Sequence, residues 1–320
     1  MLTIETKDFT AVDGRRPAFM SKTTPLDKWN FKYVMEPLYT ASGRSAGKYG
    51  IFREGDDSPS LGEVLRGERY FIMQPSEMLA MMERMVEDFR NRGVSLKLRN
   101  ACILKEGRTL VAIFEREGDN MLLGEQYNRF IFFYVGNDGK TAIGVSDCAL
   151  RIVCANQLVN AFSKNSLAMK KVYHSGATME DVYDAWRDVA LNNHAWDSFK
   201  DMMESFAMET LTETDVNAFV EKVLPLPKKA DKGTQEMRTE VERVYAKRDI
   251  LKNEYLAKQD LEGLKRGGMI TKAYVLQAMS DYSTHLTPLR VSSKHEDTLM
   301  SNSVSGDPLI QKSIKLLSAA

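Results

Sequence analysis

Alternating hydrophobic and polar positions in the middle of the chain predict a run of antiparallel strands. Apolar residues alternate with polar ones over 94–99, and 109–114 is rich in β-forming residues, so the two stretches predict a hairpin. The stretch 129–135 is apolar at nearly every position, which is typical of a central strand covered on both faces. An Asp-Gly turn then leads into 141–145. Together these stretches predict a meander of about four strands.

Shorter signals flank this meander. Before it, apolar runs at 49–52 and 70–73 predict strands, and hydrophobic residues then recur at helical spacing from Ser76, a candidate N-cap, to Asn91. After it, hydrophobic positions between 152 and 162 fall on one helical stripe. We therefore expect the meander to be closed by a helix.

The second half of the chain is predicted to be mainly helical. The stretches 178–181 and 212–215 have the form of capping boxes, and each is followed by hydrophobic residues at helical spacing. Prolines and charges at 225–233 break the helical pattern and predict a linker. A long charged helix is predicted over about 236–264, followed by another around Tyr274.

These elements predict an α+β fold, in which an antiparallel β-meander packed with helices is followed by a mainly helical C-terminal half. The expected organisation is an irregular N-terminal segment over 1–45 and an α+β core domain over 46–224. A linker over 225–235 would then lead to a helical C-terminal region over 236–320.

Composition narrows the class of protein. The chain of 320 residues carries 44 basic and 44 acidic side chains, so an anionic partner must be bound by a local patch. The cysteines Cys102, Cys148 and Cys154 form no CxxC pair, which favours a reducing compartment. No apolar run reaches the length of a membrane span, and the N-terminus lacks the pattern of a signal peptide. We therefore expect a cytoplasmic protein without a membrane partner.

Two candidate sites for catalytic or cofactor chemistry fail on spacing. The stretch 43–49 resembles a phosphate-binding loop, but its glycines are too close together and Tyr49 replaces the hydroxyl that would bind magnesium. Cys148, Cys154 and His174 could be metal ligands, but they lack a fourth ligand and a CxxC pair. We therefore predict a protein that is not an enzyme and has no catalytic residue, no metal and no cofactor.

One segment is unusual in its charge. Between Cys148 and Met179 there is no Asp or Glu, whereas several basic residues fall inside. This pattern is typical of an anion-facing surface, and a solvated face, or Arg151 in an internal ion pair, would also produce it. With the basic positions of the hairpin and one amide, the predicted nucleic-acid-binding residues are Lys97, Arg99, Arg151, Asn156, Lys164, Lys170, Lys171 and His174.

Several motifs, taken in order, resemble one family. They are Tyr-Phe-Ile-Met-Gln-Pro at 70–75, Arg-Ile-Val-Cys-Ala-Asn at 151–156, the later His174, and the stretch 273–285. In this combination the chain resembles the phage- and plasmid-associated proteins of domain of unknown function 932, over about residues 33–320. Tyr173 stands where that family tends to place an arginine, so a shared basic contact is not expected there.

The resemblance implies a role in DNA metabolism. A β-meander closed by a helix is similar to the core of the RecT and Redβ group, which bind single-stranded DNA in a basic groove, form rings or filaments, and anneal strands without ATP. The resulting prediction is a phage-encoded homo-oligomer in the host bacterial cytoplasm that binds single-stranded DNA, with annealing as a further candidate activity.

Two alternatives remain open. One is a non-enzymatic factor for counter-defence or host takeover, which would contact host or phage proteins through the helical half. The other is an enzyme whose polar residues converge on a pocket that the sequence does not show.

Overall fold

The N-terminal part of the chain forms a small antiparallel sheet. The computed structural model describes residues 2–5, 23–55, 59–65, 67–118, 120–151, 156–157, 169–191, 193–227, 235–257, 261–285 and 308–319. After a 3-10 helix at Leu26–Trp29, the strands β1 (Tyr33–Tyr39), β2 (Ser45–Arg53) and β3 (Gly62–Val64) pair in sequence order. The prediction of an irregular segment over 1–45 is therefore wrong at β1.

Helix α1 spans Pro75–Asn91 and confirms the helix predicted there. Its N-cap is Gln74 rather than the predicted Ser76, and the Gln74 N–H donates to the carboxylate of Glu77 at 2.7 Å. The Gln74 side chain also accepts a hydrogen bond from the N–H of Tyr33 and donates one to its carbonyl, at 2.8 and 3.0 Å. One residue therefore both caps α1, through its backbone, and fixes the helix to β1, through its side chain.

The predicted meander forms the central antiparallel sheet. Its strands are β4 (Leu96–Leu104), β5 (Thr109–Arg116), β6 (Met121–Leu122), β7 (Glu125–Gly136), β8 (Ile143–Arg151), β9 (Asn156–Gln157) and β10 (Met169–Val172). They pair in the order β10-β8-β7-β5-β4, and the short β6 and β9 pair with β7 and β8. The meander β4-β5-β7-β8 confirms the prediction, and β10 extends it.

Two local predictions around this sheet need correction or stay open. The stretch 70–73 is not a strand, because it contributes only an isolated bridge, between Tyr70 and Ser175. The helix predicted over 152–162 lies largely outside the described residues, and the part within them is strand β9.

Both faces of the central sheet are buried. One face packs against α1 and α2 (Met179–Leu191), where Trp186 meets Phe114 and Phe133 edge-on with ring centroids 5.0 Å apart. The opposite face carries a separate apolar layer made by Cys102, Leu104, Val111, Ile113, Phe130, Phe132, Tyr134 and Cys148. Because successive residues of a strand face opposite sides, a sheet covered on both faces requires the continuous apolar run seen in β7.

Helices make up most of the C-terminal half, as predicted. After α2 come α3 (His194–Met208), α4 (Glu213–Val223), α5 (Gln235–Ile250), α6 (Lys272–His285) and α7 (Pro308–Ala319). A hairpin of β11 (Lys265–Arg266) and β12 (Met269–Ile270) precedes α6. The helix predicted over 236–264 is too long, because α5 ends at Ile250 and a π-helix continues to Leu256. Within the described ranges, no helix combines the length and apolar character needed to cross a membrane.

A second core holds these helices together and joins them to the sheet. Phe199 of α3 packs in the same apolar cluster as Leu251, so side chains from both sides of the predicted linker 225–235 share one core. The boundary itself stays a prediction, and limited proteolysis would test it. Tyr127 of β7 belongs to this cluster too, and its hydroxyl accepts a hydrogen bond from Nε2 of Gln277 at 2.8 Å.

Reciprocal capping boxes begin α2 and α4, as the sequence predicts. The Thr178 N–H donates to the carboxylate of Asp181 at 2.8 Å, and the Asp181 N–H donates back to the Thr178 hydroxyl at 3.3 Å. Thr212 and Asp215 repeat this arrangement at 2.9 and 3.2 Å. Hydrogen bonds from the threonine hydroxyl and backbone lower the pKa of each aspartate below its ordinary value of 3.8.

We expect these two boxes to contribute stability that is lost in acid. A carboxyl group with a lowered folded-state pKa stabilises the protein above its unfolded-state pKa, and the contribution disappears as pH falls through the folded-state value. The variant carrying Asp181→Asn and Asp215→Asn should therefore lose free energy of unfolding at neutral pH and differ less from the wild type in acid. Urea denaturation of the variant and the wild type, at neutral pH and in acid, measures the two differences in free energy of unfolding. An equal difference at both pH values would contradict the prediction.

Candidate anion-binding site

Two of the predicted nucleic-acid-binding residues are paired with acidic residues of the protein itself. Arg99 is 8% exposed, and its guanidinium donates to Glu115 at 2.6 Å and to the backbone oxygen of Glu5 at 3.1 Å. Lys97 hydrogen bonds to Glu117 at 2.7 Å, which raises the pKa of Lys97 and lowers the pKa of Glu117. The prediction of a phosphate contact is therefore corrected for Arg99, because its charge is neutralised within the sheet.

Three other candidates are described in part or not at all. The backbones of Arg151 and Asn156 pair where β8 meets β9, and their side chains lie outside the described part of the structure. Lys164 lies outside the described residues altogether. Their assignment to nucleic-acid binding stays a prediction.

His174 is held by backbone carbonyl groups at both ring nitrogens. The residue is 6% exposed, and its Nδ1 and Nε2 lie 2.6 and 3.0 Å from the carbonyl oxygens of Phe71 and Thr141. Its ring also stacks on Tyr70, with centroids 4.5 Å apart. His174 therefore fixes the end of β10 to the segment before α1 and to the start of β8, and its predicted phosphate contact stays untested.

Lys170 and Lys171 point to opposite faces of the central sheet. Lys171 pairs with Gly144 of β8, which pairs in turn with Tyr134 of β7, so these three residues share a face. Lys170 faces the other way, toward α2, and its ammonium lies 3.8 Å from a carboxylate oxygen of Asp188. The two lysines, which the sequence groups together, therefore belong to different surfaces.

Lys171 lies at a pocket where three lysines meet. The pocket has a volume of about 320 Å³ and lies where β4, β7 and β10 end and where β5 and β8 begin. We call it the lysine pocket, and its polar lining residues are Lys105, Thr109, Tyr134, Lys140, Thr141, Lys171 and Tyr173. Among the residues that the structure describes, no Asp or Glu lines it. Because its three lysines are exposed, the pocket can attract an anion from solvent.

Two buried residues that carry hydroxyl groups line the floor of the lysine pocket. Tyr134 is 4% exposed and Thr109 is 7% exposed. The Tyr134 ring lies flat against Gly144, where any Cβ would stand 2.2 Å from the ring, so this position requires glycine. Burial, and to a smaller extent Tyr173, raises the pKa of Tyr134 to about 12, so its hydroxyl stays protonated at neutral pH. The Thr109 hydroxyl has no hydrogen-bond partner in the described structure.

The turn that carries Lys105 is fixed by the N-terminal sheet. The Tyr33 hydroxyl of β1 donates to the carbonyl of Gly107 at 2.5 Å. A hydrogen bond of 2.8 Å from the Asn137 N–H to the carbonyl of Arg108 joins the same turn to the turn between β7 and β8. The backbone below Lys105 is therefore held from two sides, which positions the lysine at the pocket rim.

The turn that carries Lys140 is equally constrained. Asp138 accepts hydrogen bonds from the N–H groups of Lys140 and Thr141 at 2.9 and 2.6 Å, and from the Thr141 hydroxyl at 2.9 Å. Gly139 packs on Glu63 of β3, where a Cβ would stand 2.3 Å from the carbonyl oxygen. The nearby carboxylate of Asp138 is thus engaged within the turn, and the ammonium of Lys140 remains beside the pocket.

A wider groove adjoins the lysine pocket. It has a volume of about 680 Å³, shares Lys140 and Tyr173 with the pocket, and adds Arg69 to the basic lining. Leu65 and Tyr173 line it and are 73% and 74% exposed. Glu63 is the acidic lining residue found among the described ones. An exposed aromatic ring beside a charged pocket can stack on a planar group of a bound ligand.

The fold and the site define an α+β protein with a basic pocket at one end of an antiparallel sheet. A profile of the family described as Domain of unknown function (DUF932) matches residues 64–304. The chain belongs to this family, as its motifs predict. No curated protein and no solved structure gives a significant match. The fold similarity to the RecT and Redβ group therefore stays a prediction.

Sequence analysis does not single out most of the residues that form the pocket. It does not propose Lys105, Thr109, Tyr134, Lys140 or Tyr173 as binding residues, and it places Tyr134 within the buried strand predicted over 129–135. One signal was available. In a meander every second turn lies at the same end of the sheet, so the turns after β4 and β7 must meet, and each carries a lysine.

The buried position of Arg99 leads to a prediction about stability. Arg99→Ala should lower the free energy of unfolding by about 3–5 kcal/mol, because the buried carboxylate of Glu115 would lose the guanidinium that neutralises it. Lys97→Ala, two residues away, should cause a much smaller loss, because solvent screens its pair with Glu117. Urea denaturation of both variants provides the measurement. If Arg99→Ala left stability unchanged and weakened DNA binding, Arg99 would be a DNA-binding residue after all.

Proposed function

We propose that this protein binds single-stranded DNA through the lysine pocket and the adjoining groove, without a nucleotide cofactor. One observation carries the proposal: three exposed lysines meet at a pocket without acidic lining among the described residues, next to an exposed tyrosine. Proteins that bind single strands without strong sequence preference combine ammonium or guanidinium groups for phosphates with aromatic rings on which bases stack.

Each part of the surface has a distinct task in this proposal. Lys105, Lys140 and Lys171 would neutralise phosphates, and the ring of Tyr173, at the border of pocket and groove, would stack on a base. Arg69 would continue the phosphate contacts along the groove. Lys170 has no part in it, because it faces α2 on the other side of the sheet.

The zero net charge of the chain favours such a local mechanism. With 44 basic and 44 acidic side chains, the protein has no net positive charge that would attract DNA. One site that neutralises about three phosphates binds weakly at physiological salt, so tight binding would need several copies along one strand. We therefore expect a homo-oligomer, whose mass can be measured by mass photometry with and without DNA.

We also propose that the protein anneals complementary strands. Two protein-coated strands would be brought together in a DNA transaction such as phage recombination, and no ATP would be required. Energy transfer between the labels of two complementary strands measures how fast they pair. Comparing the rate with and without protein tests annealing separately from binding.

Salt dependence and a matched pair of variants test the binding surface. For three phosphate contacts, the logarithm of affinity should fall by about 2 per logarithm of salt concentration, because each contact contributes about 0.7. Lys171→Glu should weaken binding to all sequences and lower this slope by about 0.7 or more. Fluorescence anisotropy with a labelled single strand measures both quantities.

Lys170→Glu is the matched control for Lys171→Glu. It makes the same change of charge one residue away, on the opposite face, and should leave affinity within about twofold of the wild type. Circular dichroism verifies that both variants fold. Equal effects of the two substitutions would contradict the assignment to the pocket. Absence of any DNA binding by the wild type would favour the protein-interaction alternative.

A further inference from the structure

The lysine pocket has a closed floor. Behind it, Thr109 pairs with Gly136, and Tyr134 pairs with both Val111 and Gly144, so the strands β5, β7 and β8 are hydrogen-bonded without interruption. The ring of Tyr134 covers the remaining backbone at Gly144. A polymer cannot pass through such a floor. A strand end can reach this floor, whereas an internal stretch of DNA can only lie across the open side of the pocket.

The charge of the pocket matches a terminal phosphate better than an internal one. An internal phosphodiester carries a single negative charge and two oxygens free to accept hydrogen bonds. A phosphomonoester carries about −1.5 to −2 charges at neutral pH and three strongly accepting oxygens. Lys105, Lys140 and Lys171 supply three positive charges to a pocket without acidic lining in the described part of the chain. The phosphomonoester, with its larger negative charge, is attracted more strongly by these lysines than a phosphodiester is.

The floor contains one buried hydroxyl group that no described residue uses. The Thr109 hydroxyl is buried and has no partner in the described structure. The Tyr134 hydroxyl lies on the same floor. A phosphate oxygen that reaches the floor could accept hydrogen bonds from these groups while the lysines bind the outer oxygens. The volume of about 320 Å³ is at the lower end of the range for small-ligand sites, as expected for one nucleotide end.

We propose that the lysine pocket binds a terminal phosphomonoester of a single strand, with Thr109 at its floor and Tyr173 stacked on the terminal base. This inference rests on the proposed function, because it names the part of the DNA that the same site recognises. It predicts that the protein prefers phosphorylated strand ends over hydroxyl ends and over internal positions.

The test compares oligonucleotides of one sequence that differ only at their ends. Strands with a 5′-phosphate, a 3′-phosphate or two hydroxyl ends are titrated with the full chain by fluorescence anisotropy. One of the phosphorylated strands should bind about tenfold more tightly than the hydroxyl strand, because one added charge-assisted hydrogen bond corresponds to about a factor of ten. Which end is preferred shows the direction in which the strand leaves the pocket.

Two variants separate the pocket from general electrostatics. Thr109→Val keeps the shape of the side chain and removes the unpartnered hydroxyl, so the protein should fold normally and lose most of the preference for the phosphorylated end. Lys171→Glu should abolish the preference, and Lys170→Glu should retain it. Thermal unfolding curves show whether each variant is folded.

The outcomes distinguish this inference from the proposed function. Equal affinity for all three strands would overturn the terminal-phosphate site and leave single-strand binding intact. A preference that survives Thr109→Val and Lys171→Glu would also overturn it, because the end would then be bound elsewhere. No binding of any strand would contradict the proposed function. Thermal stabilisation by deoxyadenosine monophosphate in that case would still support a phosphomonoester site, and its absence would overturn that site as well.

Discussion

The alternation of side chains across the central sheet is the constraint on which the rest of the structure depends. Because apolar layers cover both faces, a residue in the middle of a strand is buried whichever way it points. Ile113 and Phe114 are neighbours in β5 and are both 0% exposed, in opposite layers. Near the ends of the strands the same alternation reaches solvent. In β10 this alternation places Lys170 on the α2 side of the sheet and Lys171 at the pocket.

Charge is separated along the length of the sheet. Near the start of β4, the carboxylates of Glu115 and Glu117 pair with Arg99 and Lys97, so that region is close to neutral. At the far end, the turns and β10 bring lysines together at a pocket whose described lining contains no acid. A chain with zero net charge can therefore carry a locally positive surface, and a count of residues along the sequence does not reveal where it lies.

The features that the sequence predicts well depend on contacts between near neighbours. Helix α1, the β4-β5 hairpin and the capping boxes of α2 and α4 follow from spacing, turn residues and caps within a few positions. The roles of Arg99 and His174 follow instead from distant partners. Glu115 lies on the next strand, and the carbonyl of Phe71 is 103 residues away from His174. An acid-free segment of sequence indicates charge, but it does not show which face each lysine occupies.

The pocket itself combines residues from turns and strands that are far apart in sequence, so only the pairing of the strands could bring them together. The order of the hairpins predicts that the turns with Lys105 and Lys140 meet, since alternate turns of a meander share one end of the sheet. The return of β10 to pair with β8 adds Lys171 and Tyr173, and this step depends on a connection that local patterns do not determine. The fold class was therefore predictable, and the site was predictable only in part.

The unpartnered hydroxyl of Thr109 shows why the pocket, rather than another group of surface lysines, is suited to an anion. Leaving a buried hydroxyl without a partner lowers stability by about 1–3 kcal/mol, and a valine would fill the same strand position with the same shape. The hydroxyl is already removed from water, so a hydrogen bond to a bound oxygen requires little further desolvation. Lys48, by contrast, is exposed and paired with Glu63 at 2.9 Å, so an anion there would have to displace a carboxylate. The Thr109 hydroxyl is already in place before an anion arrives, and no acidic residue lines the pocket among those described.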